Sequence, residues 1–221
     1  MSHAAAGLAG YYAARAAEYD RIYDKPERQA DLATLREVIP RCFADREVLE
    51  IACGTGYWTQ YLARTAHAVT AIDINEETLE IARTRTCPAN RVRFDTADVY
   101  ALGPRYRNFG GAFAGFWWSH VPVAGRRRFV HSLHRTLQIG AVVVVLDNRY
   151  VAGSSTPIAH VDAHGNSYQR RALADGSEHV VLKNFPTEAE LRQEISDVAT
   201  AIEYTALDYF WMLKYEVRDC A

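Results

Sequence analysis

The sequence predicts an α/β fold, with a seven-stranded, mostly parallel sheet and helices on both of its faces. Short apolar strands recur at 48–51, 69–72 and 91–95, and helical segments follow the first two, so the chain alternates strand and helix. Between the first strand and its helix lies a tight turn that contains Gly54 and Gly56. Glycine suits this turn because the backbone there takes conformations that a Cβ forbids, and because a ligand can approach the main chain closely.

The remaining elements surround and extend this alternation. Two helices, at 8–23 and 26–40, are expected before the first strand. In the alternating part we expect a helix over 57–64, a helix from Glu76, a strand near 111–115, a helix over 125–137 and a buried strand at 141–146. The chain is then expected to end with a helix N-capped by Thr187 and two strands, near 200–205 and 209–217. Residues 167–173 and 178–182 flank Ala174-Asp175-Gly176-Ser177, which predicts a β-hairpin.

Composition and charge restrict the class of protein. Hydrophobic residues make up 49% and charged residues 24% of the 221 residues, and the formal net charge is -2, as in an ordinary globular domain. No block of five basic residues occurs, which disfavours a nucleic-acid partner. We expect the densest basic cluster, Arg126-Arg127-Arg128, to open a solvated helix. No apolar run approaches the length of a membrane span, so no membrane partner is expected.

The cysteines and the first residues bear on the compartment. Cys42, Cys53, Cys87 and Cys220 form no Cys-x-x-Cys pair and no metal-ligand spacing. We therefore expect reduced thiols and a cytoplasmic location, with Cys53 a small buried filler of the glycine turn. The first ten residues, MSHAAAGLAG, lack the basic start and the long apolar core of a signal peptide.

Three carboxylates follow three successive strands of the predicted sheet. Glu50 lies just before the glycine turn, where it favours a ligand with an ammonium group and disfavours a phosphate. Asp73, expected at a solvent-facing end of the second strand, can accept both hydroxyls of a ribose. Asp98 follows the third strand, at the same edge of the sheet, where an adenine amino group could donate to it.

This set resembles the class I S-adenosylmethionine (SAM)-dependent methyltransferases, over roughly residues 11–147. The resemblance implies a Rossmann-like fold in which the glycine turn wraps the methionine half of SAM, the second acid holds the ribose and the third holds adenine. Ala52, where many members have glycine, is the one departure. The resemblance assigns SAM contacts to Tyr19, Glu50, Ala52, Cys53, Gly54, Gly56, Trp58, Asp73, Ile74, Ala97, Asp98, Val99 and Phe116.

With this resemblance, the chain is expected to form one domain with four parts. These are a helical lid (1–45), a SAM-binding core (46–147), a hairpin insertion (148–186), and a final helix with two strands (187–221).

A nicotinamide dinucleotide fold is the competing interpretation of the glycine turn. Its fingerprint needs a third glycine where this chain has Thr59, and Tyr57 and Trp58 leave no room for a pyrophosphate that Glu50 would also repel.

The methyl acceptor is expected to lie under three segments. The N-terminal helix carries Tyr11, Tyr12 and the pair Tyr19-Asp20, and either covers SAM as a lid or only fastens the helix to the domain. The pair Trp117-Trp118 follows the fourth strand and offers flat faces for an aromatic or cationic acceptor, although one of the two normally points into the core. The third segment is the hairpin insertion, and Asn148 at its start is a further candidate substrate contact.

His120 is the candidate catalytic residue. It could accept a proton if the nucleophile arrives protonated, as a phenol or ring N–H would. The alternative is a structural histidine that holds a loop carbonyl. Asp147-Asn148 resembles part of the metal site of catechol-type O-methyltransferases, but Ser119 stands where a further acidic ligand belongs. A hard divalent cation prefers charged oxygen ligands, so no catalytic metal is expected.

The function that the resemblance implies is methyl transfer from SAM, with S-adenosylhomocysteine (SAH) as product, to a nitrogen or oxygen of a small, aromatic or heteroaromatic metabolite. Residues 147–157, DNRYVAGSSTP, and the following hairpin are similar to bacterial methyltransferases of secondary metabolism, such as the toxoflavin-type azapteridine N-methyltransferases. Two alternatives stay open: a SAM-binding regulatory or partner protein without transferase activity, and a protein or RNA methyltransferase. Either a monomer or a homodimer is compatible with the sequence.

Overall fold

The computed structural model describes residues 10–88 and 90–219. Its ten strands are β1 (Glu47–Ile51), β2 (Ala68–Asp73), β3 (Val92–Thr96), β4 (Phe109–Gly115), β5 (Leu137–Asn148), β6 (Ile158–Val161), β7 (Ser167–Ala172), β8 (Glu178–Leu182), β9 (Ala199–Ala206) and β10 (Phe210–Val217). Seven of them form one sheet in the order β3-β2-β1-β4-β5-β10-β9, in which only β10 runs antiparallel to its neighbours. This confirms the predicted fold class.

Helices cover both faces of the large sheet. They are α1 (residues 10–15), α2 (Gln29–Arg41), α3 (Thr59–Leu62), α4 (Glu76–Ala82), α5 (Arg126–His134) and α6 (Glu188–Ile195). The chain continues from α1 as a 3-10 helix, Ala16–Tyr23, where one α-helix from residue 8 was predicted; residues 1–9 lie outside the described part of the chain. Thr187 caps α6 as predicted, because its hydroxyl accepts from the backbone N–H of Glu190 and its own N–H donates to that carboxylate.

The side-chain alternation of the strands builds two cores. On β5, Val143 and Val145 pack on one face of the large sheet, while Val142 and Val144 pack on the other. All four are nearly inaccessible to solvent. A strand buried on both faces reads as a continuous apolar run, which is why residues 141–146 predicted it.

The large sheet places the predicted site residues at one edge. β1 to β5 run parallel, so their carboxyl ends meet, and Glu50, Asp73 and the turn after β4 lie together. In α/β sheets, ligands bind at this edge. The fold therefore brings the three predicted acids to one region of the surface.

The insertion after β5 differs from the predicted hairpin by one strand. β6 pairs with β7, and β7 with β8, in a separate antiparallel sheet. β6 was not predicted because Ile158, Val161 and the residues between them are exposed and have no alternation to reveal them. Arg126 also departs from its prediction, since it is buried, whereas Arg127 and Arg128 are exposed.

The expectations about the cysteine thiols and about membrane spans can be compared with the described residues. Cys42, Cys53 and Cys87 carry free thiols, and Cys220 lies outside the described residues. Within residues 10–88 and 90–219, no helix is both long and apolar enough to cross a membrane.

Candidate active site

A cavity of about 500 Å³ opens at the carboxyl ends of β1, β2 and β4. We call it the strand-end cavity. Nine of the thirteen residues predicted to contact SAM line it: Tyr19, Ala52, Gly54, Asp73, Ile74, Ala97, Asp98, Val99 and Phe116. Tyr12, Trp117 and His120, predicted for other roles, line it too. The structure thus gathers most of the predicted cofactor residues around one space.

Asp73 holds the glycine turn in place. One of its carboxylate oxygens accepts from the backbone N–H of Gly54 at 2.8 Å, and the other accepts from that of Asn75 at 2.9 Å. Burial raises the pKa of Asp73, while these backbone N–H groups oppose the rise. Asp73 is 8% exposed, so the expectation of a solvent-facing carboxylate was wrong. The same carboxylate lines the cavity, where its remaining lone pairs can accept from a ligand's hydroxyls.

The turn itself contains three residues in the left-handed region. Gly54 and Gly56 have φ values of 55° and 74°, and Ala52 has a φ of 50°. A Cβ on Gly56 would lie 3.0 Å from the Cβ of Ala82, so this glycine serves close packing on α4 rather than ligand contact. The left-handed conformation costs an alanine about 1–2 kcal/mol. The small Ala52 side chain is tolerated, at the expense of backbone strain at the cavity wall.

Glu50, Cys53 and Trp58 lie beneath the turn instead of lining the cavity. Glu50 is 2% exposed, and its Oε2 has no hydrogen-bond partner among the described residues. Burial, with a smaller contribution from the nearby Asp73, raises the pKa of Glu50 to about 8, while the Thr59 hydroxyl opposes the rise. A buried, unpartnered carboxylate oxygen next to a strand-end cavity fits a cationic ligand. Burial also raises the pKa of the Cys53 thiol, which suits a packing residue, and Trp58 packs against Phe113.

Asp98 lines the strand-end cavity but not the second cavity described below. Its Oδ1 accepts from the backbone N–H of Tyr100 at 2.9 Å, which leaves its other oxygen for a ligand. Val99 and Trp117 supply apolar surface beside it. A flat ring with an exocyclic amino group would match this combination of apolar wall and carboxylate.

The N-terminal segment is fastened to the glycine turn by polar contacts that the sequence did not reveal. The hydroxyl of Thr55 donates to Asp20 at 2.6 Å, and Arg85 pairs with the same carboxylate. Tyr23 stacks on Tyr57 with ring centroids 3.4 Å apart. These contacts fasten the segment to the domain with Tyr19 at the wall of the strand-end cavity, and its role as a lid stays a prediction.

A second cavity, of about 350 Å³, lies between the N-terminal segment, the insertion and the end of β5. We call it the basic cavity because, among the described residues, seven lysine and arginine side chains line it against one carboxylate: Arg15, Arg21, Lys25, Arg28, Arg170, Arg171 and Lys183 against Glu18. The predicted substrate residues Tyr11, Tyr12 and Asn148 line it as well.

The two cavities share four lining residues, Tyr12, Tyr19, Phe116 and His120, which we call the junction. Phe116 has a φ of 60°, a left-handed conformation that is strained for an aromatic residue. Such strained residues concentrate at functional sites. The junction is therefore the point at which ligands in the two cavities would meet.

His120 makes the loop-carbonyl contact of its predicted structural role, and its role as a general base stays a prediction. Its Nδ1 lies 2.6 Å from the carbonyl oxygen of Leu182, which can only accept, so Nδ1 carries a proton. Its Nε2 lies 2.7 Å from the hydroxyl of Tyr12 and accepts from it. Burial lowers the pKa of His120 well below its usual range, and Lys183, Arg171 and Arg15 lower it further. The ring is neutral at pH 7, with its basic nitrogen at the junction.

A buried ion pair holds the turn that carries His120. Lys183 donates to Asp147 at 2.8 Å and to the hydroxyl of Ser119 at 2.6 Å. Asp147 in turn accepts from the backbone N–H of Ser119 at 2.9 Å. Lys183 and Asp147 are 4% and 0% exposed. The pair thus ties the insertion to β5 and sets the position of His120.

The contacts of Asp147 bear on the prediction that the site holds no catalytic metal. Asp147 is fully buried against Lys183, so it does not face the junction as a free oxygen ligand. In the part of the chain that the structure describes, no three His, Cys, Asp or Glu side chains could hold a metal ion. The expectation of no catalytic metal stays a prediction.

The two tryptophans after β4 have different surroundings. Trp118 is 1% exposed and packs on Phe129, so the prediction that it contacts the substrate was wrong. Trp117 lines the strand-end cavity and not the basic cavity.

Comparison with known proteins agrees with this geometry. A family model described as a methyltransferase domain matches residues 48–140. The demethylmenaquinone methyltransferase of Clavibacter sepedonicus is 28% identical over 164 residues, covering 74% of this chain and 63% of that protein. That of Staphylococcus aureus (strain MRSA252) is 30% identical over 107 residues, covering 46% and 42%. The chain therefore spans less than two thirds of the length of both relatives.

A solved structure extends the similarity to the whole chain. The complex of DhpI with SAH is 26% identical, with a TM-score of 0.80, and the match covers 99% of this chain and 100% of that one. The chain is therefore similar to a methyltransferase domain over residues 48–140, and to a structure solved with SAH over almost its whole length. The matched segment, residues 48–140, contains the glycine turn, Asp73, Asp98 and His120. Tyr12 and the ion-paired Lys183 lie outside it.

Proposed function

We propose that this protein is a methyltransferase that transfers the methyl group of SAM to a nitrogen or oxygen of a small molecule. One observation carries the proposal: two cavities, one lined by the predicted cofactor residues and one lined by other residues, meet at the four junction side chains. A transfer reaction needs two ligands whose reacting atoms come together with water excluded. The four junction side chains, which line both cavities, would form that meeting point.

The strand-end cavity fits SAM on three counts. The buried, unpartnered Oε2 of Glu50 would favour the positive charge of the cofactor, the outward lone pairs of Asp73 would accept from ribose hydroxyls, and Asp98 would accept from the adenine amino group. When bound, SAM supplies an electrophilic methyl group whose bonding electron pair returns to sulfur. That chemistry needs only an aligned nucleophile and a place for its proton.

The chain's own residues supply both needs. Because Nδ1 of His120 is committed to Leu182, Nε2 presents its lone pair to the junction, where it would accept the proton of an O–H or N–H nucleophile. The Tyr12 hydroxyl now occupies that lone pair and would turn to the acceptor as it binds. Tyr19 and Phe116 would shield the junction from water, and their rings suit a flat acceptor.

We expect Asp98→Ala to weaken SAH binding by about 10- to 150-fold, because a hydrogen bond to a charged group contributes about 1.5–3 kcal/mol. The variant should fold, since Asp98 is half-buried and caps only the N–H of Tyr100. Calorimetric titration with SAH measures the effect. Asp95→Ala is the matched control, because Asp95 lies three residues earlier, pairs with Arg93 and does not line the cavity.

Unchanged SAH affinity in a folded Asp98→Ala variant would contradict the placement of the adenine. Tighter binding of a nicotinamide dinucleotide than of SAH by the wild-type protein would contradict the cofactor itself. Asp73→Ala is a poorer test than the sequence suggested, since Asp73 also holds the N–H groups of Gly54 and Asn75.

A further inference from the structure

We infer that the methyl acceptor carries an oxyanion, of the phosphate or carboxylate type, that is held in the basic cavity by Arg171 with Arg15 beside it. The inference rests on the proposed function, because it names the class of molecule that would fill the second cavity. It replaces the expectation that paired tryptophans select the acceptor, since neither tryptophan lines this cavity.

The charges that line the basic cavity divide into paired and unpaired groups. Arg21, Arg170 and Lys183 pair with Glu18, Glu178 and Asp147, and Lys25 lies 4.0 Å from Glu27. Among the described residues, no carboxylate lies within 4.0 Å of the remaining three, which are Arg15, Arg28 and Arg171. Three guanidinium groups without a counter-charge therefore face one space.

Arg171 is the strongest of the three candidates. Its Nη2 donates to the side-chain oxygen of Gln169 at 2.7 Å, but its Nε is buried and has no partner among the described residues. Withdrawing a guanidinium from water without an anion is unfavourable, and an oxyanion that accepts from two of its N–H groups would remove that cost. Arg171 thus has an unmet donor, in a cavity where an anion can reach it.

Arg15 and Arg171 approach the same ring from two different elements. The guanidinium carbons lie 5.8 Å and 6.0 Å from the ring centroid of Tyr11, one from α1 and one from β7. Among residues 10–88 and 90–219, Arg15 donates only to the Tyr11 hydroxyl, at 3.0 Å. Next to that ring lies Tyr12, which contacts His120. An anion held here would place the rest of a small acceptor at the junction.

Arg28 lines the basic cavity too, but its donors are already engaged. Its guanidinium donates to the hydroxyl and the carbonyl of Ser154, at 3.0 Å and 3.3 Å, and stacks near the rings of Tyr209 and Phe210. These contacts fasten the insertion to the domain. Arg28 would add positive potential to the cavity while its N–H groups remain engaged with Ser154.

The test uses inorganic phosphate and acetate as probes on the full chain saturated with SAH. Thermal unfolding is followed as each anion replaces chloride at constant ionic strength, and the rise in Tm gives the anion's apparent affinity. We expect saturable stabilisation of the wild-type protein by at least one of the two anions. Stabilisation by phosphate but not acetate would assign a phosphate-type group, and the reverse result would assign a carboxylate.

Arg171→Gln should weaken the apparent affinity for the stabilising anion by at least about tenfold. Arg170→Gln is the matched control, since Arg170 is the adjacent residue, lines the same cavity and already pairs with Glu178; it should weaken the affinity far less than Arg171→Gln does. Arg171→Lys keeps the charge and loses the planar fork, so it should fall between the two. It also keeps the test valid where the glutamine variant fails to fold.

Three outcomes would overturn the inference: no stabilisation beyond chloride by either anion, equal anion affinity in Arg171→Gln and wild type, or a loss confined to SAH affinity. The last would assign Arg171 to the cofactor's own carboxylate. Calorimetric titration of the same samples with SAH separates this failure from that of the proposed function, because a protein that binds SAH but no anion contradicts only the acceptor class.

Discussion

Replacing Lys183 with methionine is expected to lower the free energy of unfolding by about 3–5 kcal/mol. Removing one partner of a buried ion pair leaves the other charge without compensation in a medium that solvates it poorly. Asp147 is fully buried, and Lys183 is its only cationic partner within 4.0 Å among the described residues. Urea denaturation followed by circular dichroism measures the change.

The chain offers a matched control for this variant. Lys214→Met removes an ion pair of similar length, 2.9 Å, between Lys214 and Glu203, but that pair is exposed on neighbouring strands. Exposed pairs contribute about 0–1 kcal/mol. Equal losses in the two variants would show that the buried pair does not hold the insertion on the large sheet, and the account of how His120 is positioned would then be wrong.

Replacing His120 with asparagine is expected to slow methyl transfer about 10²- to 10⁴-fold. Asparagine can still donate to the carbonyl of Leu182 in place of Nδ1, so the variant keeps the structural contact and loses the basic nitrogen. The acceptor for this assay would be found by screening metabolites for stabilisation of the SAH complex. The loss should shrink at high pH, where the acceptor ionises without help.

The pH dependence of the wild-type enzyme follows from the lowered pKa of His120. A lowered pKa means that the ring stays neutral, and able to accept a proton, as the pH falls through 6.5. Activity should therefore persist below pH 6.5 and decline only in more acidic solution. Tyr12→Phe is the companion variant: it removes the donor to Nε2 and should change the rate far less. A His120→Asn variant with near wild-type turnover would leave His120 a purely structural role.

The strand-end cavity could be predicted from the sequence because its residues are set by local patterns. A strand, a glycine turn and a helix place Gly54, Asp73 and Asp98 at successive strand ends of a parallel sheet, whatever the rest of the chain does. Ala52 fits the same pattern because its small side chain tolerates a left-handed backbone conformation. The solvent exposure of Asp73 was misjudged because its partner, the N–H of Gly54, lies nineteen residues away in the sequence.

The basic cavity could not be predicted in this way. Arg15 and Arg171 come from elements more than 150 positions apart in the sequence, and their approach depends on how the insertion folds back over the N-terminal segment. Lys183 in isolation resembles any lysine near the end of a strand. Its partner Asp147 was noticed, but as a candidate metal ligand. The sequence could not show whether Trp117 or Trp118 is buried, because only packing decides which of two adjacent rings points into the core.

The central claim is that SAM bound in the strand-end cavity presents its methyl group at the junction with the basic cavity. Nuclear Overhauser contacts from SAM with a carbon-13 methyl group measure this directly and need no knowledge of the acceptor. We expect contacts from the methyl protons to the rings of Tyr12, Tyr19, Phe116 and His120. Contacts instead to Tyr100 and Trp117, which line the strand-end cavity but not the basic cavity, would place the methyl group away from the junction and contradict the account.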